Sequence, residues 1–225
     1  VSDAPALTLE HIAKRFGDTL ALRDATLCVE RGSLHALLGE NGAGKTTLMR
    51  IAFGLLRQDA GTLAVNGEPL VARSPLDAIA RGVGMVHQHF TIVPAMTVAE
   101  NVALGGRGRY DRAAAAALVE RIGRESGLVL DPSARAADLS VSAQQRLEIV
   151  KALARGARVL ILDEPTAVLA PAETEDLLRV LRRFTAGGGS AVLITHKLRE
   201  ALGAADAITV LREGATVWTG PPRET

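Results

Sequence analysis

The sequence predicts an α/β fold: a mixed, largely parallel sheet core, an antiparallel β region near the start, and a helical region inserted between strands. Three observations carry that reading. Short aliphatic runs alternate with helix-like stretches over most of the chain. A glycine-rich run, GENGAGKTT at 39–47, joins one such run to a helix. A further run, RVLILDE at 158–164, ends in two carboxylates.

The early segments LTLEHIAKRF (7–16), LRDATLCVERG (22–32) and GTLAVNGEPL (61–70) carry turn signals and read as antiparallel strands. LHALLG (34–39), GVGMVH (82–87), RVLILDE, SAVLITH (190–196) and DAITVL (206–211) read as short buried strands. Apolar residues three and four apart mark helices in GKTTLMRIAFGLL (44–56), SPLDAIARG (74–82), SAQQRLEIVKALARG (142–156) and AETEDLLRVLRRF (172–184). The middle adds MTVAENVAL (96–104) and DRAAAAALVERIGRESG (111–127), so a helical subdomain over about 91–155 is expected. GGRGR (105–109) and GGG (187–189) read as flexible connections.

Composition sets the outer bounds. With 225 residues the chain is long enough for one large domain, 1–225, with a substantial core. That core is aliphatic, because hydrophobic residues reach 48% and aromatics only 3%. Lys and Arg number 26 against 25 Asp and Glu, so no charge surplus points to nucleic acid. The single cysteine, Cys28, excludes a disulfide framework and a multi-cysteine zinc site, and fits a reducing cytoplasm. No apolar run approaches the ~18–20 residues that span a bilayer. The start lacks the pattern of a signal peptide and lacks a Met, so a processed or excised chain is expected.

GENGAGKTT fits Gly-x-x-x-x-Gly-Lys-Thr, with Gly39, Gly44, Lys45 and Thr46 in the fixed places, between a strand and a helix. Glycines let the backbone curl until its N–H groups face an anion, and the helix N-terminus adds positive potential. Lys45 can reach β- and γ-phosphates, and the Thr46 hydroxyl can bind Mg²⁺. In RVLILDE the carboxylates lie at a strand's C-terminal end, where open α/β sheets bind ligands. Asp163 would hold Mg²⁺ and Glu164 would orient or deprotonate an attacking water. The pair of motifs indicates a nucleotide triphosphatase.

Further phrases follow in order: KRFG with Phe16, MVHQHF with Gln88, LSVSAQQR at 139–146, ILDEPTAVL, and ITH with His196. Together they resemble the ATP-binding domain of ABC transporters over essentially the whole chain. The resemblance implies a P-loop NTPase of ABC type that binds ATP and Mg²⁺. Its ATP site would comprise Phe16, stacked on adenine, with Gly39, Glu40, Asn41, Gly42, Ala43, Gly44, Lys45, Thr46 and Thr47. Thr46, Gln88 and Asp163 would hold Mg²⁺. Glu164, His196 and Gln88 would act in catalysis. Leu139, Ser140, Val141, Ser142, Ala143 and Gln144 would form the signature that faces an ATP bound on a partner domain. His87 and His89 flank Gln88 and could read as metal ligands, but further ligands are wanting. Phe16 could also be ordinary core.

The wording VHQHFTIVPAMTVAENVALG, LILDEPTAVLAPAE and ITHKLREAL is similar to ATPases of simple-sugar and nucleoside importers, leaning toward the nucleoside branch. Those carry two such domains in one polypeptide, and this chain resembles the first. The resemblance implies a head-to-tail pairing of ATPase domains, integral membrane permeases, indirect contact with a substrate-binding protein, no nucleic acid, and a place on the cytoplasmic face of the cell membrane. Two departures stand out. Val141, Ser142 and Ala143 replace Gly-Gly-Gln of the usual signature, and Ala167–Ala170 reads AVLA where Ser-Ala-Leu-Asp is common. Alternatives remain: a soluble ABC-type switch on nucleic acid or the ribosome, an ATP-binding regulatory module, or a small-molecule kinase. The first two would share this fold, and the third does not explain LSVSAQQR.

Overall fold

The computed structural model describes residues 4–106 and 109–222. One sheet of ten strands runs through the molecule. Its first strands are β1 (Leu7–Phe16), β2 (Thr19–Val29), β3 (Leu34–Leu38), β4 (Ala60–Val65), β5 (Glu68–Pro69) and β6 (Val83–Val86). Later come β7 (Val159–Asp163), β8 (Ser190–Thr195), β9 (Ala207–Arg212) and β10 (Ala215–Gly220). The order across the sheet is β5-β4-β1-β2-β10-β9-β3-β8-β7-β6. β6, β7, β8, β3 and β9 are mutually parallel, whereas β1, β2, β4 and β5 pair antiparallel. The two regions join where Ala215 of β10 pairs with Asp24 of β2.

The parallel strands are predominantly aliphatic because both faces are covered. Leu37, Ile161, Val192 and Ile194 face Leu48, Met49 and Ile51 of α1 (Lys45–Ala52). The alternate residues Leu34, Leu160, Leu162 and Leu193 face the other way. They pack with Leu147 and Val150 of α5 (Val141–Ala154) and with Leu177 and Leu181 of α6 (Pro171–Ala186). The remaining helices are α2 (Pro75–Ala80), α3 (Val98–Ala103), α4 (Arg112–Ser126) and α7 (Leu198–Ala204).

Local chemistry sets several boundaries. Thr97 precedes α3 and accepts the Glu100 N–H at 3.2 Å, while the Glu100 carboxylate accepts the Thr97 N–H at 2.7 Å. The helix expected over 96–104 therefore begins after Thr97. Asp111 caps α4 by accepting the Ala113 N–H at 2.9 Å. α1 stops at Ala52, short of the expected Leu56, because the chain turns at Gly54, whose N–H closes onto the Ile51 carbonyl at 3.0 Å. The glycines at 187–189 are hydrogen-bonded to Arg183, Thr185 and Phe184, so this expected flexible connection is an ordered helix end. Of GGRGR, Arg107 and Gly108 lie outside the described residues.

Candidate functional site

β3 delivers the chain to a loop, Gly39–Gly44, from which α1 starts at Lys45. A Cβ at Gly39 would collide with the Leu211 carbonyl oxygen. At Gly44, φ is 104° and a Cβ would lie 2.6 Å from Leu22 Cδ2 and 2.8 Å from the Ala21 carbonyl. The two glycines thus let the loop curl tightly against β9 and β2. α1 carries no side-chain cap and no acidic residue in its first turn, which leaves its N-terminal donors for an anion. Lys45 is buried and its Nζ donates to the carbonyls of Gly39 at 2.7 Å and Glu40 at 3.0 Å. Burial pulls the Lys45 ammonium below its ordinary range, opposed by the nearby Glu164 and Asp163 carboxylates.

The parallel register sets the C-terminal ends of β7 and β8 side by side, with Asp163 opposite Ile194. Asp163 is buried, and its Oδ1 accepts the Thr46 hydroxyl at 3.2 Å. Burial raises the Asp163 carboxyl above its ordinary range, the Thr46 bond lowers it, and Glu164 raises it further. Glu164 has φ 47°, and its N–H donates to the Ile194 carbonyl at 3.1 Å. Its Oε1 lies 3.4 Å from His196 Nδ1. His196 and the loop residues Gly39, Asn41 and Gly42 border one cleft of about 560 Å³. The structure thus brings Lys45, Thr46, Asp163, Glu164 and His196 together from three sequence motifs. Two hard oxygens, Thr46 Oγ1 and Asp163 Oδ1, suit a Mg²⁺ that takes its other ligands from phosphates and water.

Among the described residues, the other expected residues make no side-chain hydrogen bond to this centre; Glu40 reaches it through its carbonyl, which holds Lys45. Gln88 is exposed, two residues past β6, beside the end of β7. Among the described residues it makes no hydrogen bond to the Thr46–Asp163 pair. Phe16 is 46% exposed, which excludes the core reading, and Lys14 Nζ lies 5.6 Å from its ring centre. It ends β1 in the hairpin with β2, the strand that carries Ala21 and Leu22 against Gly44. Of the segment Leu139–Gln144, Leu139 and Ser140 lead into α5 and Val141–Gln144 form its first turn. Ser140 Oγ accepts the Ala143 N–H at 3.3 Å and lies 3.2 Å from Ser142 Oγ. Gln144 Nε2 donates to the Leu139 carbonyl at 3.1 Å. Glu40, Asn41 and Gly42 are exposed, Ala43 is buried, and Thr47 lies in the first turn of α1. Among the described residues no cluster of three or more His, Cys, Asp or Glu could hold a metal, so His87 and His89 gain no companions.

The sequence reading missed a network behind the acidic pair. Glu200 Oε2 accepts the hydroxyls of Thr166 at 2.7 Å and Thr195 at 3.3 Å. Lys197 Nζ donates to the Thr166 carbonyl at 2.9 Å and pairs with Glu200 at 3.0 Å. It ties the turn after Glu164 to the turn bearing His196. The spacing of Lys197 and Glu200 was the available signal, one helical turn apart directly after His196.

Comparison with known proteins bears on family and fold. The family model described as ABC transporter matches residues 22–167. The glucose import ATP-binding protein TsgD13 of Haloferax volcanii is 44% identical over 96% of this chain and 45% of its own length. The nucleoside import ATP-binding protein NupA of Lactococcus lactis is 46% identical over 97% of this chain and 44% of its own. The chain thus spans just under half the length of these curated relatives. An ATP-binding cassette of an ABC transporter, in its ADP conformation, superposes with a TM-score of 0.87, at 24% identity, over 98% of this chain and 92% of its own. The family model covers more than half of the chain and both relatives exceed 40% identity over nearly all of it, so the chain belongs to the ABC transporter family.

Proposed function

We propose that this domain binds Mg-ATP and hydrolyses it to power import of a small solute, a nucleoside or a simple sugar, across a membrane. The observation that carries the reading is that Lys45, the Thr46–Asp163 pair and the Glu164–His196 pair come together at the phosphate loop. Phe16 offers an exposed ring for the adenine. The loop's N–H groups take the phosphates, and Lys45 exchanges its two carbonyl partners for phosphate oxygens. Thr46 and Asp163, with Gln88 beside them, would hold a Mg²⁺, which would supply charge neutralisation on those oxygens. Glu164 accepts a proton from the attacking water or orients it, and His196 holds the Glu164 carboxylate and the terminal phosphate in register.

The domain acts as the N-terminal half of a longer polypeptide, with 91–155 as its helical subdomain. It pairs head-to-tail with a second ATPase domain, so that Leu139–Gln144 faces the partner's ATP. Dimeric cassettes among the solved structures of this fold support such pairing. Among the described residues no helix is long and apolar enough to cross a membrane. In this reading integral permease subunits carry the solute, and the domain sits on their cytoplasmic face. A substrate-binding protein would act only through those permeases.

Lys45→Ala removes the ammonium from the phosphate loop. Isothermal calorimetry should register at least a tenfold weaker affinity for Mg-ATP, on the order of 1.4 kcal/mol or more. An unchanged affinity would remove the phosphate loop from the ATP site. Co-purification of the full-length protein with a hydrophobic permease tests the transport assignment.

A further inference from the structure

We propose that Thr91, Glu148 and Lys151 are positioning residues: they clamp the loop that carries Gln88 onto α5. The inference rests on the reading of Gln88 as an active-site residue, but the clamp itself is a matter of geometry. Every polar atom of Thr91 is engaged. Its N–H donates to Glu148 Oε1, and its hydroxyl lies 3.0 and 3.1 Å from the two Glu148 oxygens. Lys151 Nζ donates to the Thr91 carbonyl at 3.0 Å and to its hydroxyl oxygen at 3.1 Å. Lys151 also pairs with Glu148 Oε2 at 3.2 Å. Glu148 and Lys151 are 4% and 8% exposed and lie three residues apart on α5.

A buried ion pair is a poor device for stability alone, because desolvation of both charges offsets their attraction. Here the pair spends its hydrogen bonds on a single loop residue. A second anchor follows at Val93, whose N–H donates to Asn101 Oδ1 at 2.7 Å and whose carbonyl accepts from Asn101 Nδ2 at 3.0 Å. Asn101 is fully buried on α3. On the other side of the loop, Val86 is paired with Leu162 of β7, one residue before Asp163. His87, Gln88, His89 and Phe90 therefore bridge two fixed points: the sheet edge at the acidic pair and the clamp on α5. Freeing Thr91 moves the nearest fixed point after Gln88 from Thr91 out to Val93 and lengthens the unsupported span. α5 also begins at the signature, and at about 1.5 Å per residue Glu148 lies roughly 10 Å along it from Val141. One helix thus carries both the signature and the hold on Gln88.

The test uses the full-length protein and pairs kinetics with a direct probe. Thr91→Val keeps the shape and deletes the hydroxyl; Glu148→Gln keeps the size and deletes the charge. Each should lower kcat for ATP about tenfold and leave KM within twofold, and Thr91→Ser should restore most of the rate. Combined with Gln88→Ala, Thr91→Val should add little further loss. Additive losses, or no rescue by serine, would overturn the proposal. A spin label at His89→Cys, with Cys28→Ser, reads the clamp without reference to catalysis. The label should be more mobile in Thr91→Val than in the parent, and equal mobility refutes the clamp. If Gln88→Ala leaves kcat unchanged while the label is released, the clamp stands and the role given to Gln88 falls.

Discussion

Glu164 has left-handed backbone, at φ 47°. A non-glycine residue there costs about 1–3 kcal/mol and persists only where surrounding contacts over-determine it. Those contacts are visible: the Ile194 carbonyl holds its N–H, and the Thr166–Lys197–Glu200 network holds the turn that follows. In this conformation the carboxylate lies 3.4 Å from His196 Nδ1. Under the proposed mechanism, Glu164→Gln keeps that shape and loses proton acceptance. Turnover should fall by about 10²-fold or more, with ATP affinity nearly unchanged. A stopped assay for released phosphate, set beside calorimetry, separates the two; a parallel loss of affinity would make Glu164 a binding residue instead. Lys45, Thr46, Asp163, Glu164 and His196 were legible in the sequence because each follows a buried strand in a fixed pattern. Thr166 and Glu200 were not, since their meaning lies in hydrogen bonds between segments far apart in the chain.

At the level of elements, β3 shows what a fully buried strand demands. His35, the second residue of LHALL, is 1% exposed, with Nε2 2.8 Å from the Thr209 hydroxyl of β9. Burial lowers its pKa from 6.5 to about 4. The unfolded chain therefore binds a proton that the folded chain refuses between those values. Stability is unaffected above pH 6.5 and declines as pH falls toward 4, by up to about 3 kcal/mol from this one group. Denaturant unfolding at pH 7.5, 6 and 5 should give a slope that His35→Gln largely removes; equal slopes would mean that His35 is protonated without penalty. His35 has no role legible from the sequence, because a histidine in an aliphatic run announces neither its partner nor its burial. The strands themselves were legible for the same reason that His35 was not: burial on both faces leaves continuous aliphatic runs. α7 has seven residues, and the sequence reading took it only as part of the ITHKLREAL phrase. The helix at Lys45 was read too long, because its apolar pattern continues through Phe53 and Leu55 past the turn at Gly54.

At the scale of the whole molecule, the curled sheet puts the phosphate loop and the acidic pair at the same strand ends, while the signature opens a helix on the opposite face of that sheet. A site built from one domain alone would leave the signature unused. Under the proposed head-to-tail pairing, the ATP on this domain's loop meets the partner's signature, and the partner's ATP meets Ser142. Ser142 is not a neutral replacement for glycine. Its hydroxyl lies 3.2 Å from Ser140 Oγ, and it also bonds Glu173, which, after the Ala170 N–H, helps hold that carboxyl below its ordinary range. A side chain there narrows the approach of backbone to phosphate, and one lost contact in a closed site costs about 1–3 kcal/mol. The two ATP sites are then unequal, and the site built on Lys45 and Glu164 carries most of the turnover. In the full-length protein, Ser142→Gly should raise ATPase activity by no more than about twofold, because it repairs only the weaker site. Glu164→Gln should remove most of the activity, because it disables the stronger one. Retention of most ATPase activity in Glu164→Gln would reverse the assignment and make the partner's phosphate loop the working site.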